Sequence, residues 1–307
     1  MKRTVAGLVT VLVAALGLTA CGGGGGGDPL ANNNTGSQSP SDTITVGSAN
    51  FAESQLLAEI YAAALTKAGV KVTKKLNIGS RETYLPALKD GSIDLIPEYS
   101  GVLLQYFKKD ATATSADDVY AALQKAVPDG LSVLDKSAAE DKDAIVVTKE
   151  TAQKYNAKSL SDIAPHCGEL VLGSAPEFQK RPDGIPGLQK TYNCTFKSFT
   201  SLDADGPLTV AALTQGSIQA ADMFTTDSTI EKNGWVVLED PKFNFAAQNV
   251  LPLINTKKAS DTVKKALNAV AAKLDTKTLT ELNTKLAAPD KPDAAKVASD
   301  WLTSAGL

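Results

Sequence analysis

The chain is 307 residues long, 43% hydrophobic and 21% charged, with 31 Lys+Arg against 34 Asp+Glu and a formal net charge of −3. That balance speaks against nucleic-acid binding, and a single histidine speaks against most acid–base and metal-ligand designs. The length admits one large or two medium domains with cores of their own.

Lys2 and Arg3 form a basic start, and Val5 to Leu18 is an apolar stretch containing Gly7 and Gly17, too short to span a bilayer comfortably. It ends at Leu18-Thr19-Ala20-Cys21, the pattern read by the lipoprotein signal peptidase. Residues 1–20 are therefore predicted to be a signal peptide. Cys21 would become a lipidated N-terminus that anchors the protein on the extracytoplasmic face of the cell membrane. Residues 21–42 carry a glycine run, Gly22 to Gly27, then Asn32-Asn33-Asn34 and a Ser/Pro segment, and are expected to be a flexible tether. Removing the signal peptide leaves 29 Lys+Arg against 34 Asp+Glu, a net charge of −5. No later apolar run approaches 18 residues, so the body is expected to be soluble and monomeric, with any channel or ATPase on separate chains. Cys167 and Cys194 are then in an oxidising compartment, which favours a disulfide over two buried thiols; its loop would contribute about 3–4 kcal/mol.

From Thr43 onward strands and helices alternate, which implies an α/β architecture. Ile44 to Gly47 reads as a strand. Asn50 with Glu53 reads as a capping box, opening a helix whose apolar face is Leu56, Leu57, Ile60, Tyr61 and Ala64 and which ends at Gly69. Val70 to Leu76 follows as a strand, Arg81 to Lys89 as a short helix stopped at Gly91, Ile93 to Ile96 as a strand, and Ser115 with Asp118 opens a helix that ends before Pro128. The most informative internal feature is a repeat: Ala87-Leu88-Lys89-Asp90-Gly91-Ser92-Ile93-Asp94 matches Ala212-Leu213-Thr214-Gln215-Gly216-Ser217-Ile218-Gln219 in register. Six residues past each isoleucine stands an aromatic, Tyr99 and Phe224. The repeat predicts two similar lobes that aim these rings from carboxyl strand ends into one cleft. From Ser260 the chain reads as helical. Lobe 1 is expected to comprise 43–146 and 251–307 and lobe 2 residues 147–250, with hinge strands near Ala144 to Thr148 and Val250 to Ile254.

Chemistry is sparse. His166 beside Cys167 is read as structural, because neighbours in an extended strand point to opposite faces and make a poor nucleophile pair. There is no Cys-x-x-Cys, His-x-x-x-His or P-loop, and Asp203, Asp205, Glu140, Asp141 and Asp143 read as solvated loop residues. The expectation is a binding protein and not an enzyme, without metal or cofactor. The alternatives are a surface sensor that does not transport, or an enzyme on the same fold.

Three segments carry a family resemblance: Val46-Gly47-Ser48-Ala49-Asn50-Phe51-Ala52-Glu53-Ser54-Gln55, Gly91-Ser92-Ile93-Asp94-Leu95-Ile96-Pro97-Glu98-Tyr99-Ser100-Gly101, and Arg181-Pro182-Asp183-Gly184-Ile185-Pro186-Gly187-Leu188. They resemble the binding proteins of ABC importers for glycine betaine, choline and carnitine, from about Thr43 to the C-terminus. The resemblance implies a type II periplasmic-binding-protein fold, two α/β lobes joined by a two-strand hinge. It also implies a small-molecule solute used against osmotic stress, and permease and ATPase partners. It further implies a box of tyrosines round a quaternary ammonium, whose positions here are Tyr99, Asp143, Phe224 and Gln248, so that two of four rings are replaced by polar groups. An aromatic elsewhere, such as Tyr155, is the alternative to Asp143. Of the carboxylate clamp Arg181 is retained, while Ala49 and Val102 stand where the family has lysine and threonine. Asn50, Arg81 and Glu82, in the cleft-facing loops, complete the candidate set, Arg81 and Glu82 reading equally as an exposed helix start. The replacements imply a shift toward a polar aromatic or amine-bearing solute.

Overall fold

A computed structural model describes residues 43–290 and 292–307; the signal segment, Cys21 and the tether lie outside the described residues. The described chain begins with β1 (Thr43–Gly47), α1 (Ala52–Lys67), β2 (Lys71–Lys75), α2 (Arg81–Lys89), β3 (Leu95–Tyr99), α3 (Ser100–Phe107), α4 (Ala116–Ala126) and β4 (Leu131–Val133). It continues through β5 (Asp143–Val147), α5 (Lys149–Lys154), α6 (Leu160–Ile163), β6 (Val171–Ser174), α7 (Ile185–Tyr192), β7 (Ser198–Ser201), α8 (Pro207–Thr214), β8 (Ala220–Phe224), α9 (Ser228–Asn233) and β9 (Val236–Val237). It returns as β10 (Val250–Asn255), α10 (Asp261–Ala271), α11 (Thr276–Leu286) and α12 (Ala294–Ser304).

Two five-stranded sheets result, ordered β2-β1-β3-β10-β4 and β7-β6-β8-β5-β9. In each the first three strands are parallel and the fourth is antiparallel to the third. That antiparallel strand is the one by which the chain enters from the other half. The two orders correspond strand for strand, β1 with β6, β2 with β7, β3 with β8, β10 with β5 and β4 with β9.

The sequence repeat is the visible part of this correspondence. Gly91 and Gly216 both hold the left-handed backbone, φ 82° and 71°, which glycine adopts without a side-chain penalty. Each turn is closed alike: Ile93 N–H donates to the Ala87 carbonyl at 3.1 Å and Ile218 N–H to that of Ala212 at 3.4 Å. A further copy stands at the ends of β1 and β6, where Gly47-Ser48-Ala49 answers to Gly173-Ser174-Ala175. A Cβ on Gly47 or Gly173 would lie 2.8 or 2.6 Å from the Cδ1 of the repeat isoleucine, Ile93 or Ile218, so the bare backbone leaves room for that side chain as it packs.

Two expectations change. The runs at 144–148 and 250–254 do not bridge the halves; β5 and β10 are buried through the interior of separate sheets, because continuous apolar strands are stable only when covered on both faces. The crossings come earlier, where Glu140 and Asn249 pair antiparallel, with Asp141 N–H donating to the Gln248 carbonyl at 3.1 Å and Val250 N–H to that of Ala139 at 3.0 Å. Nor is Asn50 a cap: α1 begins at Ala52 with Phe51 in the cap position and no side-chain cap bond. Glu53 is drawn off to a buried network described below, and Asn50 is left exposed. Ser115 and Ser260 do cap α4 and α10, accepting from Asp118 N–H and Val263 N–H.

Apolar clusters cover the sheets. One joins α1 with α10, α11 and α12, another α2, α3 and α4; in the second half one lies under α5, α6 and α7 and another under α8 and α9. Cys167 and Cys194 are bonded, with Cα atoms 5.4 Å apart, tying the turn before β6 to the segment after α7 inside a core that includes Leu170 and Leu188.

Candidate functional site

A cavity of about 380 Å³ lies where the carboxyl ends of the parallel strands of both sheets meet, the position at which open α/β sheets bind ligands. Its wall includes Asn50, Arg81, Tyr99, Asp143, Arg181, Phe224 and Gln248, so the structure brings these seven candidates round one space, while Glu82 lies outside its lining. Tyr99 and Phe224 end β3 and β8; Asp143 opens β5 directly opposite Phe224; Gln248 sits on the returning crossing.

Four rings line the cavity, two of them at positions other than those the resemblance marks. Phe51, between β1 and α1, stands 5.0 Å from Phe224 and 6.0 Å from Tyr99, centroid to centroid, and Tyr84, one turn into α2, is the fourth. Neither was singled out as a cage residue, because nothing in its spacing marks it. Tyr155 does not complete the box; it packs on His166 at 4.4 Å, away from the cavity wall. Both tyrosine hydroxyls are engaged by carboxylates outside the lining, Tyr84 donating to Glu98 at 2.7 Å and Tyr99 to Glu53 at 2.6 Å.

The two arginines are not equivalent. Arg81 is 6% exposed and grips Glu98 with Nε and Nη2, both at 2.8 Å. Although burial opposes its charge, Glu98 holds the guanidinium fully protonated. Its charge is thus spent within the first half, and it serves as a fixed wall. Arg181 faces Glu82 across the gap between the halves, at 3.4 and 3.3 Å from Nε and Nη2. Burial raises the Glu82 carboxyl, but the Arg181 charge outweighs this and holds it below the ordinary range.

The polar floor is acidic. Gln248 Nε2 donates to Asp143 Oδ2 at 2.9 Å, joining the two crossings side chain to side chain. Around Asp143, burial and then the Asp143 charge push Asp183 up to about 7 and Asp222 well above the carboxylate range. Asp141, also on the wall, is raised by burial and by Glu53, against Thr226, whose N–H donates to it and whose hydroxyl oxygen lies 2.9 Å away. Glu53 itself, 5% exposed, takes the hydroxyls of Tyr99 and Thr226, each at 2.6 Å, and the Asn283 amide. Asp203, expected to be merely solvated, accepts the N–H groups of Leu208 and Thr209 at the start of α8. Four carboxylates on the wall, Asp141, Asp143, Glu177 and Asp203, face Arg181 and an Arg81 already paired. Such a space suits a cation presented to ring faces. Among the described residues no group of three or more His, Cys, Asp or Glu could hold a metal ion, and no helix is long and apolar enough to cross a membrane.

The family model for the substrate-binding domain of ABC-type glycine betaine transport systems matches residues 42–304. The glycine betaine-binding protein YehZ of Escherichia coli strain K12 is 28% identical over 277 residues, which cover 86% of this chain and 90% of that one. The structure of apo YehZ aligns with a TM-score of 0.60 over 86% of this chain and 99% of YehZ. The ergothioneine transport permease/ergothioneine binding protein EgtU of Helicobacter pylori strain G27 is 27% identical, and there the match spans 86% of this chain but 48% of the relative. A crystal structure of a glycine betaine/carnitine/choline ABC transporter protein, 24% identical, has a TM-score of 0.67 over 85% of this chain and 98% of its own, which shows the same type II periplasmic-binding fold. With its two matched sheets, its crossings paired at Glu140 and Asn249 and a family match running almost from end to end of the described chain, this protein belongs to the substrate-binding domains of ABC-type glycine betaine transport systems.

Proposed function

We propose that the chain is the extracytoplasmic receptor of an ABC importer, and that its cleft takes a trimethylammonium zwitterion carrying a polar ring in preference to glycine betaine itself. The observation that carries this reading is the composition of one cavity: four rings, Phe51, Tyr84, Tyr99 and Phe224, share it with an Asp143–Gln248 pair and the acidic side chains of Glu177 and Asp203. A quaternary ammonium has no N–H and is best held by ring faces near negative charge. Asp143 adds an acceptor that glycine betaine, which has no N–H or O–H, cannot use. About 380 Å³ lies toward the small end of ligand pockets, which run to about 1,000 Å³. Arg181 would hold the carboxylate and Asn50 border the entrance. The EgtU relative makes ergothioneine, a betaine built on an imidazole ring, the natural first candidate.

Permease and ATPase would be separate chains, with the receptor carried by lipid on Cys21 and acting without catalysis. Calorimetric titration of the receptor with ergothioneine, glycine betaine, carnitine, choline and histidine tests the solute class. The trimethylammonium compounds are expected to bind, ergothioneine tightest; histidine binding as well as ergothioneine, or glycine betaine binding tightest, refutes the preference. Cys21→Ser is expected to shift the protein from the detergent to the aqueous phase on partitioning; no shift refutes the anchor.

A further inference from the structure

Among the described residues large apolar side chains are left exposed at three places, Leu208, Val237 and Phe243, and of these only Leu208 borders the solute cavity. It is 61% exposed and sits in the first turn of α8. The inward face of that helix is taken by Thr209 and Leu213, both wholly buried. The apolar cluster beneath α8 contains Leu213, with Val210 and Ala212 packed against it, and does not include Leu208. The leucine thus stands outside the core of its own half. Its backbone, in contrast, is firmly held. Asp203 accepts the N–H groups of Leu208 and Thr209, each at 2.9 Å, and the Thr209 hydroxyl at 2.8 Å. Asp205, in the same loop, accepts the Phe224 N–H at 3.1 Å, which ties the loop that carries the leucine to the end of β8 where a ring of the cleft stands.

An apolar side chain held in water at a fixed place gains when a solute covers it. Leu208 shares the cavity wall with Pro176, Leu202 and Ala204, all from the second half. These four side chains carry no charge, so they offer an ammonium group less than the aromatic rings do. They suit the face of a ring or a hydrocarbon stem. We propose that Leu208 is a specificity-determining residue of the cleft: it covers the ring body of a solute whose trimethylammonium group is held by the aromatic side chains, and so favours ring-bearing solutes over glycine betaine. This inference rests on the reading of the cavity as the solute cleft and names the residue that sets its preference.

The test is calorimetric titration of the receptor and its Leu208→Ser variant with benzyltrimethylammonium and tetramethylammonium chlorides, which share the cation and differ by the ring. The variant is expected to keep the parent Tm, because the Leu208 side chain is exposed and the bond to Asp203 uses only its backbone. The parent should bind the benzyl compound more tightly than tetramethylammonium. Leu208→Ser should weaken the benzyl compound about tenfold and tetramethylammonium less than about twofold, and Leu208→Met should keep the parent preference. An unchanged benzyl affinity overturns the proposal. So does an equal loss for both cations, which would make the leucine a contact between the halves. The solute reading is scored separately: glycine betaine binding more tightly than ergothioneine, while Leu208→Ser still weakens the benzyl compound, refutes that preference and supports the role of Leu208. Failure of both cations to bind at about 10 mM overturns the two together.

Discussion

Phe51 shows how much one side chain decides here. It packs near both Tyr99 and Phe224, and it lines two cavities. Phe51→Ala should weaken trimethylammonium ligands by about two- to thirtyfold, the range of about 0.5–2 kcal/mol expected of one ring face, as read by calorimetry. Glu98 acts differently. It is wholly buried and neutralises Arg81, so Glu98→Ala leaves an unpaired guanidinium in the interior and should cost about 3–5 kcal/mol in urea unfolding. An effect below about 1 kcal/mol would mean that Arg81 finds water or another partner. The residue pattern announced Tyr99 and Phe224 because the repeat places them. It was silent on Phe51, Tyr84 and Glu98, whose roles depend on what faces them from other elements.

At the level of elements, the structure extends the repeat that the sequence shows in eight residues. The shared turn bonds at Ile93 and Ile218, and the glycines of β1 and β6 that accommodate them, show that both halves are built on one plan. Helix starts were legible where a serine cap makes only local bonds, as at Ser115 and Ser260. At Asn50 and Glu53 the same local pattern misled, because Glu53 gains more from buried partners on β3, on α11 and at Thr226 than from a backbone N–H of its own helix. The Cys167–Cys194 bond closes a loop within the second half, with a sequence separation of 27. Replacing both cysteines by serine should remove about 3–4 kcal/mol from unfolding under oxidising conditions. A double variant as stable as the parent would show that the cross-link constrains an already ordered unfolded segment.

For the molecule as a whole, the cleft is an acidic region whose stability depends on pH. Asp183 titrates near 7 when folded and near 3.8 when unfolded, so the folded state binds its proton more tightly. The stability this provides is complete below about pH 3.8 and is lost as pH rises through 7, by up to about 1.4 kcal/mol per pH unit between those limits. Asp183→Asn should therefore flatten the Tm profile between pH 5 and 8; an unchanged slope would remove Asp183 as its source. Closure has a charge component as well. Glu82 occupies Arg181 across the cleft mouth, and Glu82→Gln frees that guanidinium for a ligand carboxylate. The ratio of glycine betaine to choline affinity should rise, since choline has no carboxylate to profit; a ratio that stays the same would exclude Arg181 as the clamp.

Sequence alone determined the α/β alternation, the duplicated plan, the two rings set by it, and the family, because periodicity, turn glycines and motif order are local properties of the chain. What only the tertiary structure decided was the state of the cleft residues: which arginine is already neutralised, which rings line the cavity, and where the chain crosses. Those are matters of through-space pairing and burial, in which residues as distant along the chain as Glu53 and Asn283 fix one another's charge and hydrogen bonds.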